Sequence, residues 1–527
     1  MVEYYTATYD MNRVLKQQLS SFEEVSLPRE LYTAEQVRTL DRLAIEAMPI
    51  EGFDLMKQAG KAAFRMLLRH WPDTSSLSVF CGGGNNGGDG LVIAGLAAQK
   101  GLTVEVTLLA DTDRLRGEAA AAWCWLTSLN ELSNLTFAQW HPESTIQDSL
   151  IVDCLLGTGL TGNVRGDYTT AIEKINKSGQ PVFAVDIPSG LCSDTGRILG
   201  SAVVAQRTIT FIGVKQGLLT GEGPRVIGEL EYDSLGVPGD ILGRITPNCF
   251  RAGWPEFEAK LPPREKVTHK GHYGRVLVVG GDHGMAGAAL MAADAVCRVG
   301  AGLVSVATRP EHVPAFVAHR PEAMVRGIEF AQHLESMLLN AEVVVIGPGL
   351  GQGTWGQQLF QKVMQTNKPM VVDADGLNML AAQRLGPRDN WILTPHPGEA
   401  ARLLNCSVET IESNRFHAVL QLQQQYGGTV ILKGAGSLIA TAAPGNTVTV
   451  WLADTGNPGM ASGGMGDVLS GILGGLLGQK AVDSAIVAPA AVTLHGESAN
   501  LARVSVGEYS LLASDVLGAI PQLLKAV

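Results

Sequence analysis

The stretch LSVFCGGGNNGGDGLVIAGLAAQKG, residues 77–101, decides how the first half of the chain is read. It opens as a buried strand, enters a loop at 82–88 and continues from Asp89 as a helix stopped by Gly101. Six glycines fall within residues 80–90. Glycine gives up more backbone freedom on folding than any other residue, so a turn alone is a poor reason for six of them. In α/β sheets, ligands bind beyond the carboxyl ends of the strands, where the following helix offers free N–H groups to an anion. Gly82-x-Gly84-x-x-Gly87 has the form of a dinucleotide fingerprint. Asn85, Asn86 and Asp89 do not suit a hydride-transfer loop. Asparagine amides both donate and accept, which suits sugar hydroxyls or a cation.

Working outward, TVEVTLLA (103–110), SLIVDCLLGTG (149–159), QPVFAVDIPSG (180–190), RTITFIGV (207–214) and IGELEYDSL (227–235) read as further strands. Apolar runs separated by helical segments indicate a mainly parallel sheet covered on both faces. Residues 237–265 turn proline- and turn-rich. The alternation restarts with GRVLVVGGD (274–282), AEVVVIGPGLG (341–351), KPMVVDADGL (368–377), NWILTPHPGE (390–399) and GGTVILKGAGSLIA (427–440). The reading is a first domain over 1–240, a linker over 241–264 and a second domain over 265–527. Both are α/β, each a three-layer αβα unit, and the first is Rossmann-like. The N-terminal 25 residues are read as a helix that packs on another subunit.

The chain has 527 residues, 46% hydrophobic and 17% charged, with a net charge of −11. That composition builds ample core, and without a basic run it argues against a nucleic-acid partner. Seven scattered cysteines with no CxxC pair fit a reduced, cytoplasmic protein. The most apolar late stretch is interrupted by Lys480 and Asp483, so it reads as two packed helices and not as a membrane span.

Three strand ends in the first half carry Asn86, Asp153 and Ser189. Together they could supply oxygens to a monovalent cation or Mg²⁺, or Asp153 could simply cap a loop. In the second half, GNPGMASGGMGDVLSG (456–471) is the strongest signal. Gly463, Gly464 and Gly466 lead into Asp467 at a helix start. Their amides form an anion hole for a transferring phosphoryl group, and Asp467 at its mouth is placed as a general base. The alternative is an N-cap on a glycine turn. Lys433, Gly434, Ala435, Gly436 and Ser437 form a strand-end loop suited to nucleotide phosphates. No GxxxxGK[ST] motif occurs, so this is no P-loop enzyme. Three further readings stay open: His396 as ligand contact or packed loop residue, Glu399 as functional or dipole-complementing, and Asp373 and Asp375 as Mg²⁺ ligands through water or loop caps.

NNGGDG and VDIPSG, with the 153–163 loop, resemble the NAD(P)H-hydrate epimerase family over most of residues 30–235. The resemblance implies that Asn85, Asn86, Gly87, Gly88, Asp89, Gly157, Thr158, Gly159, Leu160, Thr161, Gly162, Asn163 and Tyr168 contact hydrated NADH or NADPH. It implies that Asn86, Asp153 and Ser189 hold a potassium ion and that Asp186 shuttles a proton. Some members carry a lysine where this chain has Thr161, so that lysine's role does not transfer. The second half, over about 265–520, resembles the ribokinase-like superfamily and within it the ADP- or ATP-dependent NAD(P)H-hydrate dehydratases. The segments carrying this are TPHPGEAARLL, VVDADGLNML, VIGPGLG and GHYGRVLVVGGD. It implies substrate near Ala286, Gly349, His396 and Asp467. It also implies nucleotide, as ADP or ATP with Mg²⁺, at 433–437 and at Asn457, Gly459, Gly463 and Gly464. Together the halves resemble the bacterial bifunctional repair enzymes that restore hydrated NAD(P)H, and a homo-oligomer is expected. The rivals are a kinase that phosphorylates a small alcohol and stops there, and a first domain that only senses nucleotide.

Overall fold

Seven strands form an all-parallel sheet in the order Leu135–Gln139, Thr103–Leu108, Ser76–Cys81, Leu150–Cys154, Val182–Val185, Arg207–Phe211 and Glu229–Asp233. This computed structural model describes residues 27–129, 132–146, 149–383, 385–442, 447–479 and 482–526, so the proposed N-terminal helix lies outside the described residues. Successive side chains along a strand point to opposite faces. Val79 packs under the helices Gly52–His70 and Asn85–Gln99, while Phe80 packs with Ile172 and Ile175 of Asp167–Lys177 on the other side. Burying each such side chain contributes about 1.5–3 kcal/mol. The strand order reverses between Ser76–Cys81 and Leu150–Cys154. The crevice at that reversal is where doubly wound sheets take ligands.

The second domain repeats the plan. Met324–Gly327, Leu303–Thr308, Arg275–Val279, Val343–Ile346, Met370–Val372, Trp391–Leu393 and Thr429–Leu432 run parallel, and Ser437–Ala442 and Val448–Ala453 follow antiparallel. Its reversal lies between Arg275–Val279 and Val343–Ile346. The late apolar stretch forms the helices Met465–Gly478 and Ser484–Val506.

The two domains share a sheet. Cys249–Arg251 pairs parallel with Val448–Ala453 and antiparallel with Glu30–Tyr32, which pairs in turn with Val214–Lys215. Residues 241–264, read as a linker, therefore carry a strand and the short helix Trp254–Glu258. Trp254 and Phe257 are buried in the second domain's core. Pro255 sits in the first turn of that helix, where its missing N–H costs nothing, so a proline-rich text conceals ordered structure. A second correction concerns the opening stretch. The helix starts at Asn85, not Asp89, with Gly84 as N-cap in extended backbone. Both asparagines therefore belong to its first turn.

Candidate active sites

In the first domain, the switch-point loops and the helix Ala34–Ala47 enclose a cavity of about 740 Å³. Gly82 shows why the backbone must be bare: a Cβ there would stand 1.9 Å from the Leu155 carbonyl oxygen. The two loops can meet only without a side chain. Asn85, Asn86, Asp89, Gly157, Thr158, Gly159, Leu160, Thr161, Tyr168 and Asp186 all line the cavity. Gly87 and Gly88 are buried behind it, one under the Gly82 carbonyl and the other against Met56. Gly162 and Asn163 lie on the exposed outer part of the 157–163 loop, away from the lining.

Asp186 ends its strand at φ 66°, a left-handed conformation that a non-glycine residue adopts at a cost and that concentrates at functional sites. Lys215, 1% exposed, donates from Nζ to Asp186 Oδ1, to Thr210 Oγ1 at 3.0 Å and to the Phe211 carbonyl at 3.4 Å. The sequence reading missed this lysine. It lies 29 residues beyond Asp186 in no motif, and its only signal was a cation in an otherwise apolar strand. Asp41 and Asp89 face the same pair. Burial pushes Asp41 up to about 6, against the pull of Lys215. Asp89 is raised well above the carboxylate range by burial first, then by Asp186 and Asp41. One buried cation thus faces three carboxylates and pairs with Asp186.

Beside the cavity, Asn86, Asp153 and Ser189 converge on Leu156. Asn86 Nδ2 donates to the Leu156 carbonyl at 3.2 Å, and the Leu156 amide donates to Ser189 Oγ at 2.8 Å. Ser189 Oγ and N donate to the two Asp153 oxygens at 2.6 and 2.8 Å. Asp153 is fully buried and raised to about 6 by that burial, with the Ser189 contacts opposing. Asn86 Oδ1 is buried with no hydrogen-bond partner among the described residues. An orphaned buried carbonyl of this kind costs about 1–3 kcal/mol unless something electropositive meets it.

In the second domain, Ala286 opens the helix Ala286–Arg298 after one switch-point strand, and Gly349 sits on the loop after the other. Gly349, at φ 56°, would put a Cβ 2.6 Å from the Met285 carbonyl oxygen. Further along the sheet, Lys433 Nζ lies 2.9 Å from Asp373 Oδ1 and 3.8 Å from Glu399 Oε2. Ser470 Oγ donates to Asp373 Oδ2 at 2.7 Å. Burial alone would raise Asp373, but Lys433 and Ser470 outweigh it and hold the carboxyl below its usual range. Asp467, in the first turn of its helix, has no such partner. Burial first, and the Asp373 charge second, push it up to about 7. Gly464, at φ 91°, caps that helix, and a Cβ on Gly466 would stand 3.4 Å from Lys433 Nζ, so the glycines let the helix start close on the lysine.

The geometry gives each of the open readings its contacts. Asp375 accepts from the Gly351 amide at 2.9 Å and from Gln352 at 3.1 Å, so it ties the 351 loop. His396 accepts from the Gly398 amide at 3.0 Å, and Glu399 returns a bond to the His396 amide at 2.8 Å, a capping box on the helix Pro397–Leu404. Half of the His396 side chain, 51%, still faces solvent at the site. Glu399 also faces Lys433, and burial raises its carboxyl. Gly434, Ala435 and Gly436 form the turn between the strands Thr429–Leu432 and Ser437–Ala442, with Ser437 Oγ bonded across it to the Gly434 amide at 3.3 Å. Asn457 bonds Asn500 and the Gly459 amide, and Gly463 is exposed on the same glycine loop.

Comparison with known proteins matches a family model described as YjeF-related protein N-terminus over residues 52–217 and one described as NAD(P)H-hydrate dehydratase over 276–522. The bifunctional NAD(P)H-hydrate repair enzyme of Coxiella burnetii is 46% identical over 92% of this chain and 97% of its own length. That of Escherichia coli is 45% identical over 95% of each chain. Among solved structures, the ADP/ATP-dependent NAD(P)H-hydrate dehydratase of Bacillus subtilis, co-crystallised with ATP and Mg²⁺, is 31% identical and covers 52% of this chain and 98% of its own, with a TM-score of 0.47.

Proposed function

The chain belongs to the bifunctional NAD(P)H-hydrate repair enzymes, and from that premise we propose that its first domain, within 1–240, interconverts the R and S hydrates of NADH and NADPH while its second, within 265–527, dehydrates the S form at the expense of ADP or ATP. Residues 241–264 then join the two as an ordered clasp. The observation that carries the reading is the placement of Asp467. It is a carboxyl raised to about 7 by burial, at a glycine-capped helix start, beside a lysine already committed to Asp373. A base poised near neutrality is what a hydroxyl nucleophile needs.

In the second site, Asp467 takes the proton of the C6 hydroxyl and the oxygen attacks the nucleotide's terminal phosphoryl group. ADP leaves as AMP, or ATP as ADP. The C6–O bond then breaks with the help of the ring nitrogen's lone pair, inorganic phosphate departs, and loss of the C5 proton restores the reduced ring. Phosphorylation turns hydroxide, a poor leaving group, into phosphate. Lys433 and the amides at 463–466 face the charge that develops on the phosphoryl oxygens. Asp373 and Asp375 do not fit Mg²⁺, since their oxygens serve Lys433, Ser470 and the 351 loop. Mg²⁺ supplied with the nucleotide would offset the charge of its phosphates, and no side chain here is assigned to hold it.

In the first site, Asp186 and Lys215 form an acid–base pair in contact. The Asp186 carboxylate removes the C6 hydroxyl proton, the C6–N1 bond opens to an aldehyde, and the Lys215 ammonium protonates N1. Closure on the other face of the aldehyde reverses both transfers and gives the second epimer. Potassium is assigned to Asn86, Asp153 and Ser189 on the strength of the orphaned Asn86 Oδ1 alone, since both Asp153 oxygens already accept from Ser189. A cation there offsets the negative charge of the nucleotide on the adjoining loop. A cytoplasmic location and a homo-oligomer complete the reading; no helix of the described residues is long and apolar enough to cross a membrane.

The test is to incubate the purified chain with mixed hydrated NADH epimers and follow reduced-nicotinamide absorbance with and without ADP or ATP. Complete recovery that requires nucleotide supports both activities. Recovery stalling at the S fraction would remove the first, and accumulation of a phosphorylated organic product would favour the small-alcohol kinase.

A further inference from the structure

The turn Lys433–Gly436, read above as the nucleotide loop of the second domain, is held by the first domain. Thr220 is fully buried, and its Oγ1 lies 3.1 Å from the Ala435 carbonyl and 3.0 Å from the Gly436 carbonyl. The Gly221 amide donates to the same Ala435 carbonyl at 3.2 Å. Gly436 sits at φ 62°, and a Cβ on it would stand 2.1 Å from the Leu219 carbonyl oxygen. The two backbones are therefore in direct contact. The strap that makes these bonds is short. It runs from Lys215 in the first cavity through the turn Gln216–Leu218 to Gly221, and it is anchored at home by the Gly217 amide on the Ser193 carbonyl at 2.8 Å and the Glu222 amide on the Gly196 carbonyl at 2.9 Å. Leu218 and Leu219 share one apolar core with Leu432 and Leu438, the residues flanking the turn. An apolar, continuous interface of this kind does not let the domains move freely against each other.

We propose that Thr220 is a positioning residue for the dehydratase: the epimerase domain supplies the hydroxyl that orients the carbonyls of the nucleotide loop, so that the loop's amides are presented to the phosphates. The inference rests on the reading of 433–437 as nucleotide-binding. Within its own domain the start of the turn is held by the Lys433 amide on the Pro395 carbonyl at 2.9 Å and by Arg415 Nη2 on the Lys433 carbonyl at 3.2 Å, and Gly434 by Ser437 Oγ, whereas among the described residues the Ala435 and Gly436 carbonyls accept from the strap. With the strap in place the loop's peptide planes are preset, and binding incurs no ordering cost there. The hydroxyl carries one proton for two carbonyls, so it is shared between them and its removal leaves the Gly436 carbonyl without a donor.

The experiment uses the full chain with ADP as titrant, comparing wild type with Thr220→Val, Thr220→Ser and Ser437→Ala. Valine keeps the buried volume and removes the hydroxyl. The expected result is a KM and calorimetric Kd for ADP raised about tenfold in Thr220→Val, as for loss of one buried hydrogen bond. The turnover number at saturating ADP is retained, and Thr220→Ser restores affinity. Unchanged ADP affinity in Thr220→Val overturns the proposal. So does an equal loss in the serine variant accompanied by a lowered Tm, which would mark Thr220 as packing alone. Ser437→Ala separates the premise from the inference. If it leaves ADP affinity untouched, the loop does not bind nucleotide and the proposal falls with that reading; if it weakens ADP while Thr220→Val does not, the inference alone fails.

Discussion

Each domain sets one lysine among three carboxylates at the carboxyl end of a doubly wound sheet, yet the lysine takes a different partner in each. In the second domain Lys433 pairs with Asp373, and Asp467 is left with its carboxyl raised to about 7. In the first, Lys215 pairs with Asp186 itself, and the two carboxyls left over, Asp41 and Asp89, are the ones raised. A phosphoryl transfer needs a lone base poised near neutral pH. An epimerisation must give and take a proton at adjacent atoms, so acid and base in contact serve it better. On the proposed assignments, the same inventory serves two chemistries according to which carboxylate the cation holds.

The strongest way to break this comparison is Asp467→Asn. Dehydration of the S hydrate is expected to fall by about 10²–10⁴-fold, the usual worth of a general base, while epimerisation persists. Stopped-time assays of NADH recovery and of epimer exchange on the same sample would read both. If dehydration survives the substitution, Asp467 only complements the helix dipole in the first turn after the Gly464 cap. Lys215→Met comes next, with a loss of about 10²–10³-fold in epimer exchange and none in dehydration of pure S hydrate. Retained exchange would mean that Asp186 works with Asp41 or Asp89 and that the ion pair is structural.

Much of this was legible in sequence for a physical reason. Glycine loops at strand ends have a one-dimensional signature, so Asn85, Asn86 and Asp467 could be named as site candidates from the text, and Asp186 through the family resemblance. Lys215 could not, because its partnership with Asp186 spans a crossover that only the folded sheet brings together. The shared sheet was hidden likewise. Strands of three and two residues, Glu30–Tyr32 and Val214–Lys215, are too short to show a period, and Pro255 marked a helix start where the text suggested a break.

A smaller effect sharpens the comparison through pH. If Asp467 is the proposed base, it acts as its carboxylate, so dehydratase kcat/KM should fall about tenfold per pH unit below about 7, and epimerisation should not share that limb. The same shift bears on stability. A carboxyl near 7 when folded and about 3.9 when unfolded binds its proton more tightly in the native state. Its contribution is full below about 4 and is lost as pH rises through about 7. Asp467→Asn should therefore raise Tm at pH 8 and leave it unchanged near pH 4. With partial solvent screening, the gain is on the order of 1–2 kcal/mol.

The smallest expected effect concerns the cation. Potassium is assigned to the first site alone, so exchange of potassium for choline should slow epimerisation and spare the dehydratase, which serves as internal control within one molecule. The argument turns on Asn86. Its Nδ2 is used by the Leu156 carbonyl, whereas its buried Oδ1 has no partner among the described residues. If potassium is that partner, Asn86→Ala should weaken hydrate binding about fivefold, the worth of one net polar contact, and abolish the potassium response. If Asn86 serves only to hold the 155–157 loop, the variant should lose affinity but keep its response to potassium. A dehydratase equally sensitive to choline would place the cation elsewhere and remove this distinction between the two sites.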